Sequence, residues 1–150
     1  MTPLRAWAFD ARGPRATALL RGMVGIIFVS EGIQKFLFTD ELGVGRFTKI
    51  GIPLPSVMAP FVGCVEVLGG ALLVLGLAAR LVTIPLLFSM LVAITTTKLA
   101  TFVKNGFWKT MHEARTDLLM ISGLLFVLLV GAGSLSMDGW LDKSRRSSDG

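Results

Sequence analysis

Five ionisable side chains, Arg21, Glu31, Lys35, Glu66 and Lys98, sit inside otherwise apolar stretches of this 150-residue chain. A charge at the centre of a bilayer costs about 2.5–3.5 kcal/mol on insertion scales, and less near an edge. Arg21, Lys35 and Lys98 are long and lie near the ends of their stretches, so they are expected to snorkel to water. Glu31 and Glu66 are short and lie deeper. Two carboxylates at similar depth can carry protons or hold a polar ligand. Lys35 follows Glu31 by one helical turn, the favourable order for an i,i+4 pair. Gly63, Gly69 and Gly70 flank Glu66 at helical spacing. That face is stripped of bulk, so a helix or a flat ligand can approach closely.

A second set of residues faces the same depth. Ser89, Ala93, Thr97 and Thr101 recur every four residues, with Thr95 and Lys98 on an adjoining face. Arg115 and Asp117 open the last apolar stretch at the same side. The expectation is a polar cluster in the outer half of a helical bundle: Glu31, Lys35, Glu66, Thr95, Lys98, Arg115 and Asp117. Each member also has a plainer reading. Ion pairs can simply fix helix packing, and threonines commonly bond their own helix backbone. His112 reads as a loop residue, Cys64 as a small core residue, and Trp7, Trp108 and Trp140 as interfacial anchors.

Composition narrows the class. Hydrophobic residues make up 53% of the chain and charged residues 17%, with a net charge of +5. A soluble domain has about 45–50% apolar and about 25% charged residues. One cysteine and one histidine rule out an intrachain disulfide, a dithiol redox pair, a Cys-rich metal site and a bis-His haem. No metal site and no covalently bound cofactor are expected. Phosphate-loop, dinucleotide and nucleophile-elbow motifs are absent from the sequence. The basic excess lies mainly in the tails and reads as membrane topology, not nucleic-acid binding.

The positioning elements follow from the apolar runs. They predict an all-α membrane protein, a four-helix transmembrane bundle with spans at about 16–38, 57–77, 81–103 and 118–137. Helices of about 20 residues are about 30 Å long, which matches the hydrocarbon core. Residues 39–55 read as a Gly/Pro-rich loop, 78–80 as a tight turn and 104–114 as a polar loop. Pro85 is expected to bend the start of the third span. Residues 1–15 form an N-terminal segment, 16–140 the transmembrane domain and 141–150 a disordered tail. Four spans put both termini on one side. That side holds Arg5, Arg12, Arg15, Arg80, Lys143, Arg145 and Arg146, so both termini are expected in the cytoplasm. The first span is a poor cleaved signal peptide, and no convincing internal repeat is visible.

The run RGMVGIIFVSEGIQKF (21–36) resembles the first span of the DoxX family. GIPLPSVMAPFVGCVEVLGGALLVLGLAAR (51–80) is similar to its Gly-Ile-Pro loop and second span. GAGSLSMD (131–138) looks like the closing Gly-x-Gly…Asp, so the resemblance covers about 18–140. It implies a bacterial or archaeal inner-membrane protein of four helices. Glu31 and Lys35 fall on the first-span signature, and Glu66, Gly69, Gly70 and Arg80 on the second. Members related to DoxD and DoxA are tied to quinone-reducing thiosulfate oxidation and to a quinol oxidase. Others are linked to oxidative-stress complexes with soluble partners. This chain lacks the extracytoplasmic domain and redox cysteines of the thiosulfate-oxidising members.

Two functional readings stand side by side. One is a membrane subunit of a quinone-linked oxidoreductase or redox complex. Its quinone site would be built from Glu31, Lys35, Glu66, Gly69, Gly70, Thr95, Lys98 and Arg115. The glycine face would supply the slot, Lys98 or Arg115 a donor, and Glu31 or Glu66 a proton carrier. The other is a non-enzymatic scaffold or assembly factor that docks partner proteins or copies of itself through small-residue stripes. A small transporter is a third reading, weakened by the missing repeat.

Overall fold

The structure, a computed structural model, describes residues 7, 9, 11 and 13–148. Among them there is helix and no strand. Helix α1 is Thr17–Leu37, the short α2 is Val44–Lys49, and α3 is Pro55–Leu75. Helix α4, Ala79–Ala93, runs through a π-helical turn, Ile94–Lys98, into α5, Leu99–Val130. Helix α6 is Met137–Ser148.

Three helical stretches are long and apolar enough to cross a membrane: Thr17–Leu37, Pro55–Leu75 and Ala79–Val130. The last has 52 residues and would be about 78 Å long if straight, more than twice the hydrocarbon thickness. It folds back at Gly106, whose φ of 78° and ψ of 178° are not helical. Only glycine takes that conformation without strain. Two contacts fix the resulting hairpin: Lys98 Nζ to Asp117 Oδ2 at 3.4 Å and Thr101 Oγ1 to Glu113 Oε2 at 3.4 Å. The chain therefore makes four crossings, as the apolar runs predict.

Three expectations change. The polar loop expected at 104–114 is helical on both sides of Gly106, because one glycine suffices to reverse the chain. The fourth span ends at Val130, not at 137. Gly131 and Gly133, at φ 93° and 79°, break the helix before the connection to α6. The tail expected to be disordered is helical through Ser148. Its start is tied down by Asp138, described below. Residues 149–150 and most of 1–12 lie outside the described residues.

Helices α1 and α3 are antiparallel and their backbones nearly touch. A Cβ on Gly25 would stand 2.6 Å from the Gly70 carbonyl oxygen, and a Cβ on Gly70 would stand 2.6 Å from that of Gly25. One heptad further on, a Cβ on Gly32 would be 2.7 Å from the Gly63 carbonyl oxygen. This close crossing fits the small-residue packing of membrane helices. The buried core gathers on the side where the bundle begins and ends, here called the terminal side. It contains Val24, Phe28, Leu73, Leu86, Met90, Met120, Leu124 and Val127.

Candidate functional site

Lys35 and Glu66 form the ion pair at the centre of the candidate site. Lys35 Nζ lies 2.5 Å from Glu66 Oε2, with side chains only 13% and 8% exposed. Every Cα–Cβ bond tilts toward the N-terminus of its helix. On antiparallel helices Lys35 therefore leans back along α1 while Glu66 leans the opposite way along α3, and the two heads meet. The same lean brings Lys35 Nζ 3.5 Å from the backbone carbonyl of Glu31. The lysine does not snorkel outward as expected, because a buried carboxylate outcompetes the interface. The Glu31 carboxylate itself is exposed and has no hydrogen-bond or ion-pair partner among the described residues.

The remaining expected members separate from this pair. Lys98 reaches Asp117 on α5. Thr95 donates to its own backbone, to Leu91 O at 2.9 Å and Val92 O at 3.1 Å. Thr96 and Thr97 do the same, quenching carbonyls around the π-helical turn. Arg115 is exposed and meets His112 at 3.0 Å. No hydrogen bond or ion pair links these residues to Lys35–Glu66 among the described residues.

The glycine slot is filled. Gly63 faces Phe36 and Gly32, Gly70 faces Gly25, and Gly69 faces Leu86, where a Cβ would stand 3.0 Å from a methyl carbon. These glycines admit helices α1 and α4, and leave no gap for a flat ligand. An apolar groove lies instead on the lipid-facing side of α1 and α3, lined by Ile33, Phe36, Leu37, Cys64, Val67 and Leu68. Cys64 is exposed there and is not a core residue, because its position on α3 faces away from the bundle axis.

The terminal side holds a polar knot, with Arg21 buried at its centre and not snorkelling as its place in the span predicts. Arg21 is only 4% exposed. Its Nε donates to Ala132 O at 3.1 Å and its Nη1 to Leu73 O at 2.9 Å. The fork also donates to the carbonyls of Val74 and Leu135. The end of α3 explains the attraction. Gly76 adopts the left-handed conformation, φ 66°, and its N–H donates to Leu73 O while that of Leu77 donates to Leu72 O. This Schellman closure leaves the last carbonyls pointing out, and a guanidinium at the negative helix end satisfies them.

Across the turn, Asp138 caps the start of α4. It is 2% exposed and accepts from the backbone N–H of Ala78 at 2.9 Å and Ala79 at 3.3 Å. Burial raises the Asp138 carboxyl above the ordinary carboxylate range, and the two N–H groups and Arg21 pull it the other way. Arg80 donates to Trp7 O at 3.0 Å and to Leu129 O at 2.9 Å, and its guanidinium lies 5.4 Å from the Trp7 ring centroid. The sequence cue here is Gly76, a glycine placed where α3 ends; the backbone acceptors of Arg21 leave none.

Comparison with known proteins settles the lineage. The DoxX family model matches residues 16–99, from α1 to the start of α5. The chain belongs to the DoxX family. It is 45% identical over 139 residues to an uncharacterized membrane protein of Mycobacterium tuberculosis, covering 89% of this chain and 85% of that one. It is also 33% identical over 133 residues to a Bacillus subtilis protein named "Putative oxidoreductase CatD", covering 89% of this chain and 92% of that one. No solved structure is detectably similar to it. The family match contains Glu31, Lys35, Glu66, Gly69, Gly70 and Arg80. The closing motif read at 131–138 lies beyond the matched residues.

Proposed function

We propose that this DoxX-family chain is the membrane subunit of a quinone-linked redox complex, set in the cell membrane with both termini in the cytoplasm. The observation that carries the reading is the Lys35–Glu66 pair beside an apolar groove open to lipid. Lys35 adjoins Phe36, and Glu66 adjoins Val67, so the same two helix segments supply both the pair and the groove. The groove offers a wholly apolar wall, suited to an isoprenoid tail. Lys35 is a hydrogen-bond donor for one quinone carbonyl, and Glu66 can hold or release a proton at Oε2. Bound quinone would supply the two-electron chemistry, for which the chain has no group of its own among the described residues. The oxidoreductase name of the Bacillus subtilis relative supports this reading. The orientation is supported by the basic residues near the termini.

The test is extraction of lipids from the protein purified in mild detergent, followed by quinone assay. Quinone at stoichiometric levels, lost in Leu68→Trp, supports the reading. A Glu66→Gln variant that keeps quinone and sustains full electron transfer would exclude the proton role.

A scaffold role is the second reading, and one observation favours it. Ser30 is exposed on the outward face of α1, where Gln34 Nε2 donates to its hydroxyl at 3.1 Å. Polar groups on a lipid-facing surface suit an interhelical contact. A stoichiometric protein partner recovered without extractable quinone would select this reading.

A further inference from the structure

The packing of α1 against α5 changes character halfway through the membrane. A Cβ on Gly123 would stand 2.7 Å from a Val24 methyl, so these residues lie at one level of two antiparallel helices. Seven residues toward the far side come Glu31, later on α1, and Thr116, earlier on α5. Seven residues are two turns less about 20°, so both occupy nearly the same faces as Val24 and Gly123. Phe28 and Met120, between the two levels, are almost fully buried at 1% and 5% exposed, and Met90 of α4 at 7%. Glu31 and Thr116 are exposed. The faces that close the core on the terminal side are therefore open on the far side. Beyond the floor made by Phe28, Met90 and Met120, the facing positions are polar.

We infer that this opening is a water-filled crevice on the far side of the bundle, and that Glu31 is the group in it that exchanges protons between the far-side water and the Lys35–Glu66 pair. The inference rests on the proton role given to Glu66 above. Glu31 has no partner for its carboxylate among the described residues, and it lies close enough to Glu66 to act on it electrostatically. An unpaired carboxylate at this depth is costly in lipid and cheap in water. From α1 and α3 the charged groups near it are Lys35 and Glu66. From the opposite wall they are Asp117, held by Lys98, and Glu113, which meets Thr101. In the relay, a proton passes from the Glu31 carboxyl through a crevice water to the Glu66 carboxylate. The ionised Glu31 then takes another proton from far-side water.

The test uses the full chain in sealed proteoliposomes without quinone. In a Cys64→Ser background, Glu31→Cys, Thr116→Cys and Ser30→Cys are exposed to a membrane-impermeant thiol reagent. Ser30 is the control, one residue away on the outward face. Reaction needs the thiolate, which lipid suppresses. The crevice predicts that Glu31→Cys and Thr116→Cys react about tenfold faster than Ser30→Cys, from the far side only. Equal rates, or reaction from the terminal side, overturn it. Infrared spectroscopy supplies the second measurement. Far-side acidification should produce a protonated-carboxyl band that is missing in the isosteric Glu31→Gln variant. A band that persists in Glu31→Gln overturns the relay. A reactive crevice in a protein without quinone would leave the inlet standing and remove only the quinone reading.

Discussion

Lys35 Nζ and Glu66 Oε2 stand 2.5 Å apart across the α1–α3 interface, both largely hidden from solvent. Removing one partner strands the other charge. Lys35→Met is expected to destabilise the fold by about 3–5 kcal/mol. The double variant Lys35→Met/Glu66→Met should recover most of that loss, because an apolar pair leaves no uncompensated charge. Unfolding in mixed micelles, followed by circular dichroism, measures both. A double variant as unstable as the single one would contradict the account.

The glycine crossing predicts a contrast between neighbouring positions. Gly70→Ala places a methyl group against the backbone of Gly25 and should cost about 1–3 kcal/mol through forced separation of α1 and α3. Gly22 has nothing within 4 Å of its virtual Cβ. Gly22→Ala should be neutral or stabilising by up to about 1 kcal/mol, the difference in helix propensity. The same unfolding assay decides, and equal effects at the two sites would refute the close-crossing argument.

Much of this was legible beforehand, for physical reasons that differ by element. The four crossings show in the apolar runs because the bilayer sets their length. Glu66 and its glycines are visible at helical spacing, but the sequence does not say what occupies the glycine face. That depends on helix α1 docking there, with Gly25 and Gly32 opposite Gly70 and Gly63. The separation of Lys98–Asp117 from Lys35–Glu66 follows from the reversal at Gly106, one residue inside a stretch that reads as an ordinary loop. Arg21 misleads for the same reason. Its carbonyl partners are backbone atoms, and backbone leaves no mark in residue types.

Arg21 is expected to tolerate no conservative exchange. Its fork serves carbonyls of Leu73, Val74, Ala132 and Leu135 at once. Arg21→Lys keeps the charge and loses the fork geometry. Unsatisfied buried carbonyls should then cost about 2 kcal/mol or more. Thermal unfolding in detergent reads the shift, and an unchanged midpoint would show that water replaces the guanidinium.

Asp138 gives the terminal side a pH dependence of defined sign. Burial, the largest influence, lifts its carboxyl above the ordinary range. A folded value above the unfolded value of about 3.9 means that folding favours the protonated form. The stabilising contribution is complete below that unfolded value and is lost as pH rises through the folded one. Asp138→Asn carries no charge at any pH. The stability of the natural chain relative to Asp138→Asn should therefore fall as pH rises above about 4. A difference that stays flat over this range would mean that the carboxyl titrates as if unfolded.

The Arg21 knot also imposes an order in time. The arginine leaves the ribosome early, yet its Ala132 acceptor lies 111 residues later in the chain. The Leu73 and Val74 carbonyls are made by mid-chain, but the other two acceptors come only near its end. Only when the connection after α5 emerges can the first and last helices be fastened together. A chain that ends before that point has made the Leu73 and Val74 carbonyls but not those of Ala132 and Leu135, so it holds its first helix by half of the finished set.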